Sequence, residues 1–191
     1  MITQRVVLMH AESAAGMVRT MGQESRNIHT QQMSPYAIST SVRLRVPAEE
    51  AFAAFTDRLG DWWVREYTWS GRQLLVALGV EPRADGMFYE IGPHGFRMDW
   101  GRVLDWEPPY RLRFTWQIGP DRTPVPDPGR ASEVEVHFHP VQGHTEVRVE
   151  HRHFDRHGTA AQEYRAALTA GWEELLSRYA EVATRPTTHH G

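Results

Sequence analysis

One stretch restricts the fold more than any other. Between residues 159 and 183 the apolar side chains fall at Tyr164, Leu168, Trp172, Leu175, Tyr179 and Val182. Steps of three and four place them on a single stripe of an α-helix, and Glu163, Arg165, Glu173, Arg178 and Glu181 fall away from it. Glu174 and Arg178 are spaced to pair one turn apart. Thr159 and Gln162 have capping-box spacing, and Pro186 cannot continue a helix, so both ends are marked. The rod is roughly 37 Å long, about the width of a small domain. The rest of the chain has to supply the surface that covers its stripe. Gly171 interrupts the helix at a cost of about 1 kcal/mol relative to alanine, which is expected where a strand, the Trp172 ring or a bound molecule must approach.

The preceding residues alternate in the manner of half-buried strands. Ile38, Val42, Leu44 and Val46 interleave with Ser39, Ser41, Arg43 and Arg45. Pro47 then opens a helix over 48–56 with Ala51, Phe52 and Phe55 inward. Gly60 and Asp61 end it before Trp62 and Trp63, which sit on a second short helical turn. Residues 74–80 read as an apolar strand, and Asp85-Gly86 turns the chain into 87–91. Phe96, Met98 and Trp100 alternate with Arg97 and Asp99, and a bulge at Gly101 leaves the facing of Val103 and Leu104 open. After Glu107-Pro108-Pro109 comes the cleanest strand, with Tyr110, Leu112, Phe114, Trp116 and Ile118 on one face. Residues 119–131 are a proline-rich loop. Val134, Val136 and Phe138 face inward while Glu133, Glu135, His137 and His139 face out. A hairpin at Gln142-Gly143 leads to Val147 and Val149, whose phase carries His151 and His153 inward. Glu146, Arg148, Glu150 and Arg152 face out. Hairpin-linked strands with helices on one apolar face make an α+β fold.

Composition narrows the function classes. The chain has 191 residues, a net charge of −3, no cysteine and no lysine, so all 21 basic residues are arginine. A near-balanced charge argues against nucleic-acid binding. Thiolate catalysis, cysteine metal sites, Schiff-base chemistry and a Walker lysine are excluded. The apolar run over residues 6–9 is too short for a signal peptide or membrane span, which implies a cytoplasmic protein without a membrane partner. Residues 1–35 read as a poorly ordered extension with Met33 as an alternative start, 36–184 as one domain, and 185–191 as a tail. No GxSxG elbow, HExxH, phosphate loop or EF-hand pattern is present.

The runs VPAEEAFAAFTD (46–57) and DWW (61–63), then GRVLDWEPPYRLRFTW (101–116), TEVRVEHRHF (145–154) and Gly171-Trp172 occur in one order along the chain. In these pieces the sequence resembles the SRPBCC, or START-like, helix-grip domains of the heat-shock-protein ATPase activator homologue type, over residues 36–184. The resemblance implies a curved antiparallel sheet of about six to seven strands, as in Bet v-like proteins, wrapped around a long C-terminal helix with an internal cavity. It leaves function open, since such folds host ligand carriers, polyketide cyclases, hydrolases and co-chaperone-like proteins.

Seven tryptophans is a high count for one domain. Trp63, Trp69, Trp100, Trp116 and Trp172, with Phe88, Phe114, Phe138 and Leu168, are the candidates for lining the cavity. Any single ring fills a core more often than it lines a site, but as a set on this fold they favour a flat or lipophilic ligand. His151 and His153 are the polar groups expected inside. They read as a general acid or base, as a metal pair with His157, or as satisfied strand-end residues. No metal and no cofactor is assigned. The leading expectation is binding of a small hydrophobic or aromatic molecule without catalysis. A cyclase or dehydratase using His151 or His153 is the alternative, and an interaction protein acting on a chaperone ATPase the third. A homodimer is left open.

Overall fold

The computed structural model describes residues 36–185. The extension expected over 1–35 and the helix-ending Pro186 lie outside the described residues. The alternating stretches become strands β1 (Ile38–Leu44), β2 (Ala77–Val80), β3 (Met87–Ile91), β4 (Arg97–Glu107), β5 (Arg111–Trp116), β6 (Ser132–Val141) and β7 (His144–Arg152). They pair antiparallel in one seven-stranded sheet, in the order β1-β7-β6-β5-β4-β3-β2. Three helices stand between β1 and β2, namely α1 (Ala48–Thr56), α2 (Leu59–Trp62) and α3 (Gly71–Leu74), and α4 (Ala161–Ala183) closes the chain. The stripe of α4 packs against β1, α1 and α2, so the sheet curls around the helix. This is the α+β helix-grip fold.

Period-two burial is cleanest on β7, where Thr145, Val147, Val149 and His151 are buried between half-exposed neighbours. In the core Phe55 packs edge-on against Tyr179 at 5.3 Å, and the Tyr179 hydroxyl donates to the Ala51 carbonyl at 2.7 Å, tying α1 to α4. The outer face carries its charges in pairs. Arg111 reaches Glu107 and Glu135, Arg113 reaches Asp105, and Arg152 also meets Glu135.

Four local expectations need correction. The strand expected over 74–80 begins only at Ala77, because Leu74 ends α3 and is 56 % exposed. Tyr110 is 55 % exposed rather than inward, since it lies in the turn between β4 and β5. Phe96 precedes β4 and is likewise exposed. The Thr159 capping box does not form. A 3-10 segment runs over Phe154–Ala160, and α4 starts from Ala160 with no side-chain cap.

The bulge does occur. Phe88 pairs with Gly101 but Tyr89 with Asp99, so Trp100 is the extra residue. A Cβ on Gly101 would lie 2.7 Å from the Thr115 carbonyl oxygen, too close for any other residue. Beyond a second irregularity between Val103 and Asp105, Val103 is buried and Leu104 only half-buried.

Candidate functional site

Where α4 leaves the end of β5, the structure has a cavity of about 210 Å³. Its walls come from α4, from residues 63–69, and from the loop after β5 at Ile118, Gly119 and Arg122. Helical spacing presents Tyr164, Ala167, Leu168, Gly171, Trp172 and Leu175 along the α4 side, which is the same 3–4 periodicity that marks the stripe. Three indoles pack together at the wall. Trp63 and Trp116 lie 6.1 Å apart and nearly parallel, and Trp172 meets Trp116 at 5.9 Å and Trp63 at 6.5 Å. Such offset and edge arrangements are favourable beyond the area they bury.

The lip is held by specific hydrogen bonds. Glu90 is buried on β3, and its carboxylate accepts from Trp69 N at 3.0 Å, Ser70 N at 2.8 Å and Ser70 Oγ at 2.6 Å. Trp69 Nε1 in turn donates 2.8 Å to the Arg122 carbonyl. Across the opening the Tyr67 hydroxyl donates to Glu174 Oε2 at 2.7 Å. That bond lowers the Glu174 carboxyl and, with Tyr67's own burial second, raises the Tyr67 phenol.

Polar atoms of the wall are mostly occupied elsewhere. The Tyr164 hydroxyl donates to the Ile118 carbonyl at 2.7 Å and accepts from Trp116 Nε1 at 2.9 Å, and burial raises its pKa. Trp172 Nε1 lies 3.1 Å from His151 Nδ1. An indole N–H can only donate, so His151 Nδ1 is the acceptor and the ring is neutral with its proton on Nε2. That nitrogen faces Ser132 Oγ at 2.8 Å. His157 Nε2 approaches the same hydroxyl at 3.4 Å. Burial first, and the charge of His157 second, push His151 down to about 3.

Among the residues expected to form the site, Trp63, Trp69, Trp116, Leu168 and Trp172 line this cavity. Phe88, Phe114 and Phe138 do not. They are fully buried on β3, β5 and β6 and fill the core beneath the sheet. Trp100 borders only a much smaller void of about 10 Å³ behind Trp63. His151 is fully buried but lies behind the Trp172 and Trp116 rings, with both nitrogens occupied. His153 is not inside. It follows the last residue of β7 and takes a left-handed backbone with φ of 68°. This turn breaks the alternation, puts Phe154 into the interior against His151 at 4.5 Å, and leaves the His153 side chain 44 % exposed. The two histidines therefore cannot share an ion. Among the described residues no group of three or more His, Cys, Asp or Glu is arranged to hold a metal. Ile118 continues the alternation of Phe114 and Trp116 onto the wall, whereas the lining contributed by Tyr67, Gly119 and Arg122 had no sequence signal, because it comes from short or irregular segments.

The model of the activator of Hsp90 ATPase homologue 1-like protein family matches residues 45–183. No curated protein matches the chain. Among solved structures, an anthrahydroquino-gamma-pyrone synthase, Txn09, complexed with SUM, is 36 % identical over 76 % of this chain and 96 % of its own, with a TM-score of 0.56. Protein NE0264 from Nitrosomonas europaea is 18 % identical over 78 % of this chain and 94 % of its own, with a TM-score of 0.57. CalU16 from Micromonospora echinospora is 22 % identical over 78 % of this chain and 76 % of its own, with a TM-score of 0.52. The last two show likeness of fold alone.

Proposed function

From a chain that belongs to the activator of Hsp90 ATPase homologue 1-like protein family, we propose that the cavity against α4 binds a flat aromatic molecule, and that residues 36–184 are the unit that does so. The observation that carries this reading is the wall of three packed indoles around a space of about 210 Å³ whose polar atoms are mostly satisfied by the protein. A smaller apolar cavity, of about 150 Å³, is known to take a benzene ring. This one suits part or all of a fused-ring system, with the remainder reaching the lip. The shape selects planarity, and the indoles supply stacking.

The test uses anthraquinone as probe. Binding should quench the tryptophan fluorescence and raise the melting temperature, and Trp172→Leu should remove most of the affinity. Native mass spectrometry of the purified protein would show an adduct of the corresponding class if one is retained. No quenching by anthraquinone or any other fused aromatic ring at solubility-limited concentration rules the reading out.

The 36 % identity to an anthrahydroquino-gamma-pyrone synthase favours a second reading, in which the bound aromatic undergoes ring closure. A phenol carrying an ortho 1,3-diketone closes to a γ-pyrone as its oxygen bonds to the distal carbonyl carbon and one water leaves. In this reading His151 acts as a positioning residue, holding Trp172 through Nδ1, because Trp172 and Trp116 separate it from the cavity. Incubation with a hydroxyanthraquinone 1,3-diketone should then yield the dehydrated product faster than buffer does. Equal rates with and without protein would discard catalysis and keep binding.

A further inference from the structure

Arg122 is the single charged residue among those lining the cavity. Its placement is held at both main chain and side chain. The backbone there is left-handed with φ of 58°, a conformation uncommon for a non-glycine residue. A tight turn fixes it, with Arg122 N–H donating to the Gly119 carbonyl at 2.9 Å and Gly119 N–H to the Thr123 carbonyl at 2.7 Å. The Arg122 carbonyl receives the Trp69 indole N–H at 2.8 Å, and its guanidinium donates to the Thr68 carbonyl. A guanidinium has five N–H donors, and this one makes that single hydrogen bond, with no carboxylate within 4.0 Å among the described residues. By contrast, most arginines on the sheet's outer face are paired with acids, as Arg111 and Arg113 are. An unpaired cation at the mouth of an otherwise uncharged aromatic cavity has a plain chemical complement. It is an oxyanion on the edge of a flat ring system, which the planar fork binds bidentately while the rings enter among the indoles.

We propose that Arg122 makes this site selective for aromatic molecules that carry an acidic oxygen group, a carboxylate or an ionised phenol, at one edge. The assignment rests on the aromatic-binding reading above. Strain at residue 122 then serves to aim the guanidinium across the lip. The Thr68 carbonyl holds the exposed guanidinium, and the Trp69 indole holds the main chain beneath it. The bound molecule lies with its charged edge toward the opening and its apolar edge toward Trp63 and Trp172.

Two probes of the same ring system separate the possibilities: anthraquinone-2-carboxylate and its neutral carboxamide, each titrated by tryptophan quenching. The native protein should prefer the carboxylate by about tenfold, the size expected of one charge-assisted contact at a half-open site. Arg122→Gln should bring the two affinities within about threefold by weakening the carboxylate alone. Arg122→Gly provides a second variant, because glycine suits a φ of 58° and keeps the carbonyl that Trp69 needs, so the lip stays folded. It should behave as Arg122→Gln does. Equal binding of both probes by the native protein, or parallel weakening of both in the variants, overturns the assignment of Arg122 and leaves the aromatic site standing. Failure of both probes to bind overturns the aromatic site and the assignment of Arg122 together.

Discussion

His151 shows how one buried side chain joins the sheet to the helix. Its two nitrogens are spoken for by Trp172 on α4 and Ser132 on β6, and the donor-only indole fixes the tautomer. A proton added to Nδ1 would break the Trp172 bond and put a charge in the core, which is why burial lowers the pKa to about 3. The folded pKa lies below the unfolded one, so the unfolded chain takes up a proton first as pH falls. Stability is fully present above about pH 6.5 and declines toward pH 3 by up to about 1.4 kcal/mol per pH unit for this group. Glutamine can accept from Trp172 and donate to Ser132 without titrating. In urea melts at pH 7 and pH 4.5, His151→Gln should flatten the loss seen in the native protein. An identical pH slope in both would remove His151 as its source. Alternation along β7 was enough to place this residue inside. It could not show that the ring is already satisfied, since both partners are distant in sequence, nor that His153 leaves the strand.

At the scale of the element, α4 has two unequal jobs along one stripe. Tyr179 and Val182 seal the core against α1, while Leu168, Gly171 and Trp172 form a cavity wall. Gly171 was expected to allow close approach of a neighbour. A Cβ there would meet only the Tyr67 ring edge, at 3.9 Å, which is ordinary contact. The glycine keeps space open and is not required by backbone geometry. Gly171→Ala should therefore stabilise the helix by about 0.5–1 kcal/mol, read as a higher urea midpoint. Gly171→Leu should keep the fold and lower anthraquinone affinity by about tenfold or more, while Ala166→Leu on the exposed face leaves affinity unchanged. Equal effects from the two leucines would mean that position 171 does not face the ligand.

For the whole molecule, the site exists because three separate layers meet. Glu90 anchors the 69–70 lip to β3, the Trp69–Arg122 bond joins that lip to the loop after β5, and Tyr67 bridges to Glu174 on α4. Glu90→Gln replaces one acceptor oxygen with a donor facing N–H groups. It should cost about 2 kcal/mol in chemical melts and weaken anthraquinone binding together with stability. Unchanged stability would show that the lip is held by something other than this carboxylate.

What the sequence determined by itself is the architecture. Period-two runs on β1, β5, β6 and β7 and the 3–4 stripe of α4 assign each residue a face, and covering those faces leaves a sheet wrapped around a helix. Periodicity is local, so it names a face without naming depth. Only the tertiary structure decided that Trp63, Trp116 and Trp172 border open space while Phe88, Phe114 and Phe138, on the same inner face, are packed shut. The bulge beside Gly101 was legible, but the turn at His153 and the loop that delivers Arg122 depend on long-range contacts. Those contacts, made between segments far apart in the chain, separate a cavity from a core.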